Sequence, residues 1–140
     1  MPFPSIRACL ICEDVRQELG GKMSLMGLFG MSPHVEIVVQ NFEQSFLRLF
    51  FVLITEGGQG HFQLSTRLLD SNGRDAITPL QSPIDIAERN RTGVLALGFG
   101  PVKFPGPGEY RLVLETTTGS TQYETSFRLS RGDPSQADRL

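Results

Sequence analysis

Two cysteines in a C-x-x-C spacing, Cys9 and Cys12, are the first residues that could carry chemistry. Thiols at this spacing form redox disulfides or half of a zinc site when they lie on a turn or at a helix start. Here they lie within residues 6–12, an apolar run typical of a strand. Strand positions three apart point to opposite faces, with Cα atoms about 10 Å apart, too far for a disulfide. We interpret both as reduced, structural cysteines.

A second candidate is a polar cluster made of Glu13, Asp14, Lys22 and His61. Carboxylates, an amine and an imidazole are the groups with which enzymes move protons. The sequence contains neither a G-x-S-x-G nucleophile elbow nor a complete phosphate-binding loop. These observations favour a protein that is not an enzyme, and an unrecognised enzyme built on this cluster stays open as an alternative.

Metal-binding patterns are incomplete. Residues 70–75 resemble the start of a calcium loop, but Arg74 occupies a position that requires an oxygen ligand, and the downstream Glu is missing. The two histidines, His34 and His61, lie far apart and in no ligand spacing. We therefore expect no metal and no other cofactor, with a calcium site on loop carboxylates as an alternative.

Charge and hydropathy restrict the partners. The 140 residues include 13 basic and 15 acidic side chains, a net charge of −2 with no basic run. Nucleic-acid binding and polybasic membrane binding both depend on clustered positive charge, so we expect neither partner. No apolar stretch approaches the ~20 residues of a membrane span, and the first residues do not read as a secretory signal. We expect a cytoplasmic protein.

The elements around these residues read as strands. Short alternating apolar runs, separated by Gly, Pro and Asn, recur along a chain that is 39% hydrophobic. We predict an all-β fold, an antiparallel β-sandwich of immunoglobulin-like or jelly-roll character with eight or nine strands, and a partly open barrel as the alternative. The domain covers residues 1–130 and a polar tail covers 131–140. At most one short helical turn is expected near 14–20, with Asp14 as its N-cap.

Residues 46–55 form the most apolar predicted strand, and both of its faces are apolar. Such a strand lies at the centre of a sheet or is covered by another subunit. Its candidate interaction residues are Phe46, Arg48, Phe50 and Val52. Residues 61–70 alternate more regularly, which predicts one core face and one solvated face. A short strand is expected at 74–78, followed at 80–93 by an irregular edge segment around Ile84-Asp85-Ile86, with Pro83 beside it.

Four segments, 7–14, 21–29, 60–73 and 104–115, resemble in order the motifs of a family of short uncharacterised bacterial proteins. They comprise an apolar strand that ends on an acidic residue, a Gly-Lys strand, a strand ending at Asp-x-x-Gly, and a late Pro-Gly-x-Tyr strand. The resemblance covers residues 5 to 130. It implies an all-β domain and no particular chemistry, because the family's function is unassigned. The late Tyr110 is expected to bury its ring.

These features together favour a binding or assembly module of a bacterial cytoplasmic complex. Its partner is predicted to be another protein or further copies of the chain, through sheet edges or faces. A module that binds a small ligand or a carbohydrate is the alternative. The absence of Trp from the sequence ranks it lower, because sugar sites commonly stack rings on exposed aromatic side chains.

Overall fold

The computed structural model describes residues 3–44, 46–86, 92–117 and 119–132, which form nine strands and one short 3-10 turn. The strands are β1 Ser5–Gln17, β2 Met23–Met31, β3 Glu36–Val39, β4 Leu49–Glu56, β5 Gly60–Leu69, β6 Leu80–Ile86, β7 Thr92–Phe99, β8 Gly108–Thr116 and β9 Thr121–Arg131. One sheet has the order β2-β1-β4-β7, and the other has the order β3-β9-β8-β5-β6. The predicted all-β sandwich is confirmed.

Aromatic side chains from both sheets meet in the core. Phe51 of β4 packs against Phe99 of β7 and Phe127 of β9, with ring centroids 5.9 and 5.6 Å apart. Tyr110 of β8 stacks on Phe127 at 5.9 Å and donates a hydrogen bond from its hydroxyl to the Gly106 carbonyl at 2.6 Å. The ring of Tyr110 is buried, as the Pro-Gly-x-Tyr segment predicted.

The central strand begins later than predicted. β4 lies between β1 and β7, which confirms its central position, but it starts at Leu49 rather than at residue 46. Phe46 instead exchanges backbone hydrogen bonds with Val102, at 2.7 and 2.9 Å, and its ring lies 5.8 Å from that of Phe104. This local pairing attaches Phe46 to the loop after β7, and so separates it from the β4 ladder.

The helical turn is shorter than predicted and lies at the end of its range. β1 continues through Gln17, which pairs with Met23, so Asp14 lies in a strand and caps no helix. The 3-10 turn covers only Leu19–Gly21. Two glycines with φ of 80° and 76° close the hairpin, a backbone conformation that favours glycine. Continued pairing with β2 therefore confines the helical conformation to this one turn.

One strand pair departs from the antiparallel arrangement. β3 runs parallel to β9, with Ile37 opposite Leu129 and Val39 opposite Arg131. The chain reaches β3 from the other sheet after Ser32-Pro33, and so approaches β9 in the same direction. β9 ends at Arg131, one residue past the predicted limit of the domain. Residues 133–140 of the predicted tail lie outside the described residues.

The strand predicted at 74–78 does not form. Asp70 Oδ1 accepts hydrogen bonds from the backbone N–H groups of Asn72 and Arg74, at 2.8 and 3.0 Å, and holds a turn at this position. The next strand is β6, a regular strand at the edge of its sheet that contains Pro83. The edge position was predicted, whereas the regular pairing with β5 was not. Residues 87–91 of the predicted segment lie outside the described residues.

No helix in the described part of the chain has the length and hydropathy of a membrane span.

Candidate functional site

The outer side of the four-stranded sheet is apolar. Along β4, alternation sends Leu49, Phe51 and Leu53 into the core and Phe50, Val52 and Ile54 to the opposite side. The first three belong to the buried core cluster, and the other three do not. β4 was predicted to have two apolar faces, and the second of these faces points away from the partner sheet.

Neighbouring strands extend this surface across the whole sheet. Cross-strand partners share a face, so a row that begins at Val52 continues through Leu10 to Met31 on one side and to Ala96 on the other. We call the complete set the outer apolar face. Its members are Ala8, Leu10, Cys12, Met26, Leu28, Met31, Phe50, Val52, Ile54, Val94 and Ala96.

The edges of the outer apolar face are exposed and its centre is covered. Leu28 and Met31 on β2 are 56% and 54% exposed, and Val94 on β7 is 45% exposed. At the centre, Cys12 and Val52 are 0% and 1% exposed, although neither side chain lies between the sheets. The side chains at the edges therefore shield the centre of the outer apolar face from solvent, and are themselves accessible to a partner.

A glycine opposite Phe50 shapes one edge of the surface. Gly98 of β7 is the cross-strand partner of Phe50, and a Cβ at this position would overlap the Phe50 ring. The Phe50 ring therefore occupies the space that a side chain at position 98 would fill. This packing extends the outer apolar face onto the edge strand.

Ion pairs close the outer apolar face at both ends of the strands. Arg48 donates hydrogen bonds to Asp14 at 3.1 and 3.3 Å, and Arg7 pairs with Glu56 at 3.2 Å. The backbone N–H of Val15 and then the Arg48 guanidinium lower the pKa of Asp14 below its ordinary value. An apolar centre with a polar rim is the usual composition of a protein–protein interface.

The four candidate interaction residues divide into two pairs. Phe50 and Val52 belong to the outer apolar face. Arg48 lies at its rim as the partner of Asp14, and Phe46 packs on Phe104 beside the core. The prediction that these residues contact another protein stays a prediction.

The four residues of the candidate polar cluster come from different parts of the molecule. Glu13 and Asp14 lie on β1 and line one cavity with Arg48. Lys22 lies in the turn before β2 and is not among the lining residues. His61 lies on β5, in the other sheet, where its Nδ1 contacts the Asp85 carboxylate. The structure thus brings together Glu13 and Asp14 only.

Both cysteines are buried thiols within β1, as predicted. Cys9 lies in the core and Cys12 on the outer apolar face, and neither forms a disulfide. Burial raises the pKa of Cys9 to about 11, and burial also raises the pKa of Cys12 above its ordinary value. Neutral thiols are poor nucleophiles and poor metal ligands, so this environment favours a structural role. Among the described residues, no group of three or more His, Cys, Asp and Glu could hold a metal ion.

Sequence reasoning missed most members of the outer apolar face. The signal was present in the unbroken apolar runs at 8–12 and 94–97, and in Met26 and Leu28 around Gly27. A half-solvated strand alternates polar and apolar residues, whereas these runs do not. Each run was assigned to a strand, but the second apolar side was considered only for β4.

A protein-family model described as "Family of unknown function (DUF6941)" matches residues 7–129. This match covers most of the chain, so the protein belongs to that family. The resemblance to a family of unassigned function is confirmed at this level. No curated protein matches the sequence.

Proposed function

We propose that this member of the DUF6941 family is a non-enzymatic assembly module of a bacterial cytoplasmic complex, which binds a partner protein on its outer apolar face. The observation that supports the proposal is the continuous apolar surface across β2, β1, β4 and β7 on the side away from the core. Two cysteines without a disulfide are in keeping with a reducing compartment.

The size of the outer apolar face supports a binding role. Four strands about 4.8 Å apart, each about seven residues long at about 3.3 Å per residue, give the outer apolar face a footprint on the order of 450 Å². Its exposed part lies at the margins, where Met26, Leu28, Met31 and Val94 are 41%, 56%, 54% and 45% exposed. Such a surface has a free-energy cost in water, and a partner that covers it removes that cost.

The side chains on the exposed edge suit a protein partner. β2 contributes Met26 and Met31, whose unbranched, polarisable side chains adapt their shape to a partner surface. The ion pairs at the rim keep charge out of the centre of the contact. The proposed partner therefore presents an apolar patch with polar margins. The separation of His61 from Glu13 and Asp14 also favours binding over catalysis.

Small-ligand binding is a second candidate, favoured by the cavity beside Asp14 and Arg48. Its volume is about 550 Å³, and Glu13, Phe46 and Leu47 complete its lining. Ligand pockets commonly have volumes of about 300–1,000 Å³. A panel of cationic and aromatic metabolites in a thermal-shift assay tests this candidate. Stabilisation by one ligand class that disappears in Arg48→Ala would support it, and no stabilisation would remove it.

The experiment for the proposed function compares two exposed apolar positions of equal accessibility. Leu28 on the outer apolar face is 56% exposed, and Val38 on β3 of the other sheet is 55% exposed. A photo-cross-linking residue is placed at each position in the native organism, and adducts are identified by mass spectrometry. We expect a discrete adduct with one partner at position 28 and none at position 38.

Binding of the identified partner is then measured with purified proteins by calorimetry. Leu28→Lys should weaken binding roughly tenfold or more, because a charge is buried in the contact, whereas Val38→Lys should leave it unchanged. Equal loss in both variants, or adducts at position 38 alone, would refute the proposed surface.

A further inference from the structure

Four strands lie at sheet edges, and three of them carry features that hinder pairing with another chain. β6 contains Pro83 and Asp85, and β3 has only four residues and includes Glu36. β2 has an irregular register opposite Ile11 and Cys12, with two glycines at positive φ within it. Short length, proline, charge and bulges are the means by which proteins block edge-to-edge pairing.

β7 carries none of these features. Its eight residues, Thr92–Phe99, contain no charge and no proline, and they pair with β4 without interruption from Leu49–Phe99 to Glu56–Thr92. Val94, Leu95, Leu97 and Phe99 are apolar, and Val94 and Phe99 are of types enriched in strands. In the described part of the chain, β7 pairs with β4 alone. Its outer edge therefore carries backbone donors and acceptors that no strand in the described part of the chain pairs with, and such an edge can accept an added strand.

We infer that β7 of a second copy pairs antiparallel with β7 of the first, around a two-fold axis perpendicular to the sheet. A two-fold contact brings each strand against itself, so the strand must be self-complementary. An uncharged strand satisfies this condition, since no like charges meet across the axis. The other three edge strands would bring a charge, a proline or an irregular register into the same contact.

The pairing gives one eight-stranded sheet and places both outer apolar faces on the same side of it. Each copy contributes a footprint on the order of 450 Å², so the joined outer side measures about 900 Å². The inference goes beyond the proposed function, because it concerns the edge of β7 and needs no partner protein.

The test compares two variants that add the same charge at opposite edges of the same sheet. The double variant Val94→Lys, Ala96→Lys places lysines on β7, at positions whose side chains are exposed and lie on the outer apolar face. The control, Met26→Lys and Leu28→Lys, places them on β2, at the far side of β1 and β4. Sedimentation velocity from nanomolar to high micromolar protein measures the association, and circular dichroism verifies that each variant is folded.

We expect a concentration-dependent dimer for the native chain and the β2 variant, and loss of the dimer for the β7 variant. Hydrogen exchange should show β7 amides that slow with rising concentration while β2 amides do not. A native chain that stays monomeric overturns the inference. Loss of the dimer in both variants also overturns it, because the face and not the edge then holds the copies together. Failure of the proposed function appears separately, as unchanged partner binding by Leu28→Lys.

Discussion

The two outer sides of the sandwich share one architecture and differ in chemistry. The outer apolar face contrasts with the outer charged face of the five-stranded sheet, which carries Arg67, Arg111, Glu115, Glu124 and Arg128. There Arg67 pairs with Asp75 at 3.0 Å and with Glu115 at 3.2 Å. In both sheets every second side chain points away from the core. On the five-stranded sheet these side chains form ion pairs, whereas on the four-stranded sheet they are mostly apolar.

The difference between the two outer sides shows that folding of the sandwich does not require an apolar outer side. A sandwich folds on its inner faces, and a solvated outer side with cross-strand pairs is sufficient for the five-stranded sheet. Nothing in that requirement calls for Leu28, Met31 or Val94 to be apolar and exposed on the other sheet. The partner proposed for the outer apolar face would account for their apolar character.

The comparison predicts its largest effect at two buried valines on opposite outer sides. Val52 is 1% exposed between Leu10 and Ala96, whereas Val113 is 6% exposed between Arg67 and Glu124. We expect Val52→Asp to lower the free energy of unfolding by about 3 kcal/mol, because a carboxylate is buried among apolar groups. Val113→Asp should lower it by about half as much, because Arg67 faces the new carboxylate.

Urea denaturation of both variants measures these effects. An equal loss of unfolding free energy in the two variants would mean that the two outer sides provide the same local environment. That result would contradict the contrast drawn between them.

A smaller effect is expected at the glycine beneath Phe50. Gly98→Ala adds a methyl group where the Phe50 ring lies, so we expect a loss of about 1–2 kcal/mol in the free energy of unfolding. Gly100, just after β7, has open space around its Cβ position, and Gly100→Ala is the matched control with little expected change. Thermal unfolding compares the two. A Gly98→Ala protein as stable as the control would show that the ring does not depend on the glycine.

The smallest expected effect concerns pH at the rim of the outer apolar face. The folded pKa of Asp14 is lower than the unfolded value near 3.8, so its contribution to stability is present above that value and is lost as the pH falls through the folded pKa. The difference in unfolding free energy between the native chain and Asp14→Asn should therefore be constant near neutral pH and shrink in acid. Urea titrations between neutral pH and pH 3 measure it, and a difference that grows in acid would contradict the assignment.

Sequence patterns were sufficient where the pairing is local. Period-two alternation identified β5, with Leu64 and Leu68 in the core, and the apolar character of β4 predicted its central position. Sequence patterns failed to predict the pairing where a strand or bridge forms with a segment far away in the chain. Phe46 pairs with Val102 instead of extending β4, and β3 finds a parallel partner in β9 far along the chain. No local pattern encodes such partners.

The candidate site shows the same division. Phe50 and Val52 were identified because β4 is apolar on both sides, a property visible in its own residues. Leu28 and Val94 were not identified, because their contribution depends on strand order, which places β2 and β7 at the two edges of the sheet that contains β4.

The sequence by itself determined that this chain folds as strands around an apolar interior and that both cysteines are buried within β1. Those outcomes follow from side-chain alternation and turn formers, which act over a few residues. Only the tertiary structure decided that the excess apolar side chains of four strands share one outer face, and that β7 lies at its edge. The sheet to which a strand belongs depends on contacts between residues far apart in the chain, and the sequence of one strand does not specify which strands pair with it.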